Sequence, residues 1–219
     1  MRRVLTVAIV AVCLAVGAKG ASAATIVYDN GAPNSQNGNE MTQWIQAEDF
    51  TLTVATVLTD VHFWAIDAGA VAPGYQGSIY YFIYGNGVGA PDETNILQQG
   101  SVTPTVTFDH ATFFGPSSRY DFDLTSPLLL SAGTYWLGLH NGPLTTDARL
   151  ELYWETTGLN GTATGHEDST PFLVGGWFDN GQEHAFQLTG DPVPEPASLL
   201  LLGVGLGAVA SRRLLKKRA

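Results

Sequence analysis

Between residues 25 and 190 apolar and polar positions alternate in short runs, and no run keeps a 3.6-residue period long enough for a helix. Ser78 to Tyr84 (Ser-Ile-Tyr-Tyr-Phe-Ile-Tyr) is dense in aromatic and β-branched residues, the composition of a strand. Val57 to Ile66 alternates so that Val57, Thr59, Val61, Phe63 and Ala65 are expected on one face. Gly133 to His140 is a short strand after the turn signal Ser131-Ala132-Gly133. Further strands are predicted over 25–29, 47–52, 96–107, 119–130, 150–156 and 184–189. Clusters of Gly, Pro and Asn separate them, among them Asn30 to Asn39, Gly85 to Pro91 and Gly158 to Gly165. Many strands, turn punctuation and no helix predict an all-β domain, an antiparallel β-sandwich of jelly-roll type.

The two ends break this pattern. Arg2 and Arg3 precede an apolar run from Val4 to Val16, and Ala21-Ser22-Ala23 follows with the small residues a signal peptidase needs. The run is short for a membrane crossing. Residues 1–23 are therefore read as a helical signal peptide cleaved after Ala23, and 24–190 as one domain. Residues 191–219 form a third part. Pro194-Glu195-Pro196 fixes an extended backbone poor in donors, which a processing enzyme can grip. An apolar run from Leu199 to Ala210 is expected to form a membrane helix. Arg212, Arg213, Lys216, Lys217 and Arg218 then stop it and hold the tail on the cytoplasmic side. Gly190 to Pro196 is the nearest thing to a linker.

Charge sharpens the division. Of ten basic residues only Arg119 and Arg149 fall between residues 25 and 193, against 19 acidic ones, a net charge of −17. Such a domain is repelled by nucleic acid and anionic lipid, leaving cations, neutral glycans and basic proteins as partners. Cys13, the only cysteine, lies in the signal peptide, so a domain without disulfides must stand on its own core.

The Pro-Glu-Pro triplet, the short apolar run and the terminal basic cluster resemble the PEP-CTERM sorting signal of Gram-negative bacteria, a segment that also goes by the label of an ice-binding protein C-terminal domain. The resemblance covers about the last 27 residues. It implies cleavage near Pro194, Glu195 and Pro196 by an exosortase, after transient anchoring in the inner membrane. It also implies delivery to the outer surface or extracellular matrix of biofilm-forming cells that make exopolysaccharide. The domain itself is similar to passengers found with such signals, in phrases such as Tyr28-Asp29-Asn30-Gly31, Ala47-Glu48-Asp49-Phe50 and Tyr153-Trp154-Glu155-Thr156. That type implies a β-sandwich and no mechanism.

Candidate chemistry in the domain is sparse. There is no Gly-x-Ser-x-Gly, no His-Glu-x-x-His, no phosphate loop and no histidine pair at zinc spacing. The domain is read as non-catalytic, without a cofactor, and as a binding or structural module associated with exopolysaccharide. The alternatives are a glycan hydrolase or lyase using paired carboxylates, and a self-associating coat protein. Trp44, Trp154 and Trp177 sit among polar or glycine residues and are the candidate glycan platform. Asp121-x-Asp123 places two carboxylates on one strand face and is the candidate calcium site, with Asp29, Glu48, Asp49, Glu167 and Asp168 as further ligands to weigh.

Overall fold

In the computed structural model the described residues are 25–193, apart from 70–72, 147, 163 and 170–175. Thirteen strands are present among them and no helix: β1 (Thr25–Asp29), β2 (Gly38–Glu40), β3 (Trp44–Leu52), β4 (Thr56–Asp67), β5 (Ile79–Asn86), β6 (Pro91–Val102), β7 (Thr105–Ala111), β8 (Pro116–Leu130), β9 (Gly133–Asn141), β10 (Leu152–Glu155), β11 (His166–Ser169), β12 (Phe178–Asp179) and β13 (Phe186–Pro192). The signal peptide and the C-terminal helix expected from the sequence lie outside the described residues.

The strands form two antiparallel sheets. In the first, β4 is the hub. β8 pairs along one edge from Thr56↔Leu130 to Ile66↔Ser117, with β7 beyond it. The other edge is shared end to end: β13 takes Thr56 to Phe63 and β10 takes Ala65 to Asp67. β1 lies beyond β13, and β2 beyond β10. The second sheet runs β12-β11-β3-β9-β5-β6.

One apolar core lies between them. Phe50, Leu52, Tyr81, Ile83, Leu137 and Leu139 of the second sheet meet Leu58, Val61, Phe63, Phe122, Trp154 and Phe186 of the first. Phe63 stacks on Tyr120 at 4.9 Å between centroids and meets Phe122 and Trp154 edge-on. Each such side chain contributes about 1.5–3 kcal/mol by leaving water, so this core holds the domain without a disulfide.

Three local features depart from the sequence pattern. In β4, Leu58 rather than Val57 or Thr59 faces the core together with Val61, Phe63 and Ala65. A bulge at Thr59–Asp60, visible in the register against both β8 and β13, reverses the alternation there. The run 96–107 is two strands rather than one. β6 belongs to the second sheet and β7 to the first, and the chain changes sheet at Thr103-Pro104, where proline has no N–H for a ladder. Finally, Gly190 to Pro192 is strand rather than linker, paired to Leu58, Val57 and Thr56.

Candidate functional site

β10 crosses the first sheet with Leu152 and Trp154 turned into the core and Tyr153 turned out, as strand alternation requires. Tyr153 forms one wall of an open groove of about 360 Å³. The groove is completed by Asn37 and Gly38, by Ile66 and Ala68 at the end of β4, by Phe114 from the β7–β8 turn, and by Arg149 and Glu151. Such a volume lies at the lower end of those that hold small organic ligands. Gly38 is needed because a Cβ there would lie 2.8 Å from Cβ of Tyr153.

The polar groups are fixed to one another. Tyr153 donates its hydroxyl proton to the Glu151 carboxylate. The same oxygen accepts from Arg149 Nη2 at 2.6 Å and Nε at 3.2 Å. Arg149 Nε also lies 3.3 Å from Glu151 Oε1, and its guanidinium carbon stands 5.5 Å from the centre of the Tyr153 ring. Burial, then the bond to Glu151, raises the Tyr153 phenol above its ordinary pKa, so it stays protonated. Glu151 holds a left-handed backbone, φ 64°, one of two non-glycine residues among those described to do so. Its carbonyl accepts from Ala68 N at 2.9 Å. Such strain costs about 1 kcal/mol or more and gathers at functional sites.

The groove thus sets two aromatic rings, one guanidinium, one carboxylate and one amide around a single opening. Phe114 is 53% exposed, so its ring is open to solvent beside the groove. Among the described residues lining it, Glu151 is the only carboxylate. A second, shallower pocket of about 240 Å³ shares Asn37 and extends the track past Asn34, Gln36 and Glu183.

The aromatic residues singled out from sequence fall elsewhere. Trp154 is fully buried in the core, and its indole N–H donates to Ala185 O at 3.0 Å, so it is no platform. Its strand neighbour Tyr153 is the ring that lines the groove. Trp44 and Trp177 are half-buried and belong to the second sheet's side, away from the groove. Trp177 packs edge-on against Tyr84 at 5.6 Å.

Asp121 and Asp123 do share a face. Asp121 accepts from Arg119 Nε at 2.7 Å and lies 2.6 Å from His62 Nδ1. Asp123 stands opposite Asp60 on β4. A hydrogen bond to Asp60 and its charge push Asp123 above the ordinary carboxylate range. Among the described residues no three His, Cys, Asp or Glu side chains are grouped to hold a metal.

Glu48 and Asp49 are buried in a polar network instead. Glu48 Oε2 accepts from the backbone N–H of His184 at 2.9 Å and lies 2.7 Å from its Nδ1. Thr162 donates to Asp49 at 3.0 Å, and Asn30 donates to Glu183 at 3.2 Å. Burial pushes His184 down to about 3, and burial with the Glu48 charge pushes Glu183 up to about 7. Asp29 is exposed and accepts from Gln187, Glu167 accepts from Gln46, and Asp168 is buried.

Asn37, Phe114, Arg149, Glu151 and Tyr153 were not foreseen as a site. One signal was present in the sequence: Arg149 is one of two cations in a domain of 19 acids. Both arginines lie over an aromatic ring, Arg119 being 5.6 Å from the centre of Trp64.

The family described as PEP-CTERM protein-sorting motif matches residues 192–214. No curated protein matches the chain. The motif marks a protein that is exported, processed by an exosortase and sorted to the cell envelope. Pro194, Glu195, Pro196, Arg212 and Arg213 fall within the match, and Lys216, Lys217 and Arg218 follow it. These residues, and Ala21 and Ala23 of the signal cleavage site, lie outside the described residues.

Proposed function

We propose that this chain is a secreted glycan-binding protein, released from a membrane intermediate and held in an exopolysaccharide matrix by the Tyr153 groove. The signal peptide is removed after Ala23. The run Leu199 to Ala210 holds the chain in the inner membrane, with Arg212, Arg213, Lys216, Lys217 and Arg218 on the cytoplasmic side. Exosortase cuts near Pro194-Glu195-Pro196. The freed domain is a β-sandwich of jelly-roll type, and it acts without catalysis.

The observation that carries the binding reading is the Arg149–Tyr153–Glu151 arrangement, pre-set by hydrogen bonds and strain at the wall of an open groove. Pre-organised polar groups beside an aromatic face bind at low entropic cost. Binding rather than hydrolysis is favoured because the described lining holds one carboxylate, whereas glycosidic cleavage ordinarily uses two across the scissile bond.

Affinity electrophoresis of the processed protein tests this. Gels containing the producing cell's own exopolysaccharide are expected to slow it relative to blank gels. Equal mobility in both would end the glycan reading.

A further inference from the structure

The sorting segment leaves the domain without slack. β13 pairs with β4 down to Pro192↔Thr56, and Val193 N–H still donates to Ala55 O at 2.7 Å. The match to the sorting motif begins at Pro192, inside the strand. Only Pro194 to Ser198 then separate the sheet from the apolar run at Leu199. Five residues fully extended span at most about 18 Å. While the run is in a bilayer, this end of the domain therefore stays within about 18 Å of the hydrocarbon.

The same end exposes aliphatic side chains. Leu129, paired with Val57 beside the exit, is 64% exposed. Val54, in the β3–β4 turn, and Val193 are exposed as well. Val88 in the β5–β6 turn is fully exposed, and the register Gly85↔Tyr135 and Leu52↔Gly133 brings that turn to the same end of the sheets. Among the described residues no lysine or arginine lies near: Arg119 is opposite Trp64, seven residues along β4 from Val57, or about 23 Å.

We propose that Val54, Val88, Leu129 and Val193 form a surface that rests on the headgroup–hydrocarbon boundary of the bilayer holding the uncut protein. This rests on the anchoring reading above. Few aliphatic groups and an acidic domain make contact that is weak by itself and effective only while the tether keeps the local concentration high. Cutting at the motif therefore also undocks the domain. The orientation places the sugar groove outward, since Ile66 and Ala68 line it at the far end of β4, about 30 Å from Val57.

The test uses the chain from Ala24 to Ala219, after signal cleavage and before the C-terminal cut, with a single labelled cysteine, in phosphatidylcholine vesicles. Leu129→Cys reports the docking surface, and Phe113→Cys, in a fully solvated turn at the opposite end, reports bulk water. Vesicle flotation first reads anchoring. In floating protein, an aqueous quencher is expected to reach the label at 129 several-fold less well than at 113. A twelve-residue Gly-Ser insertion between Val193 and Pro194 is expected to reduce that protection while flotation persists. Floating protein quenched equally at both positions overturns the docking surface alone. Protein that fails to float overturns the anchoring reading, and this proposal with it.

Discussion

Tyr153 and Trp154 are neighbours on one short strand and face opposite ways, the tyrosine into an open groove and the tryptophan into the core. Their substitutions separate binding from folding. Tyr153→Ala is expected to abolish retardation by exopolysaccharide with a change in stability under about 1 kcal/mol. Trp154→Ala is expected to cost about 3–5 kcal/mol by leaving a large cavity. Denaturant titration and affinity electrophoresis on both variants check the split.

Glu151 trades stability for geometry. Glycine accepts φ 64° without a Cβ penalty. Glu151→Gly is therefore expected to hold or raise the melting temperature while weakening glycan binding, because Tyr153 and Arg149 lose their carboxylate partner. A variant that melts lower and binds normally would count against strain held for function.

How far this was legible in sequence depended on whether local pattern or tertiary pairing decides a residue's place. Thr25–Asp29 was readable as β1 because four strand formers, Thr25 to Tyr28, are followed by Asp-Asn-Gly. Val57 and Thr59 were misplaced because the Thr59–Asp60 bulge is set by two neighbouring strands, which a single run does not reveal. Trp154 was misplaced because the polar residues around it in sequence project from the other face. The groove joins segments as distant as Asn37, Phe114 and Tyr153, and no local spacing encodes that meeting.

The buried acid network gives a pH signature. Glu183 is raised from 4.5 to about 7, so the folded state holds its proton more tightly and stability falls as pH rises from about 4.5 to about 7. His184 is lowered from 6.5 to about 3, so stability is lost as pH falls from about 6.5 to about 3. The two oppose each other between about 4.5 and 6.5, and Glu48 and Asp49, also raised by burial, act in the same direction as Glu183. Glu183→Gln removes the first effect only. Its melting temperature is expected to gain on the wild type between pH 5 and pH 8. A constant difference across that range would show that Glu183 titrates normally.

On the reading proposed above, processing depends on the motif and not on the groove. Replacing Pro194, Glu195 and Pro196 by alanine is expected to leave the chain in the inner membrane, while Tyr153→Ala is released at the normal rate. Fractionation of the two variants checks this, and release of the triple variant at the wild-type rate would remove the motif's role.

Intact-mass measurement of the protein recovered from the cell surface and medium tests the account at its centre. The expected mass is that of a chain from Ala24 to near Pro194, cut at both ends with the folded sheet intact. A mass that still includes Leu199 to Ala219 would make the tail a lasting anchor and would contradict release into the matrix.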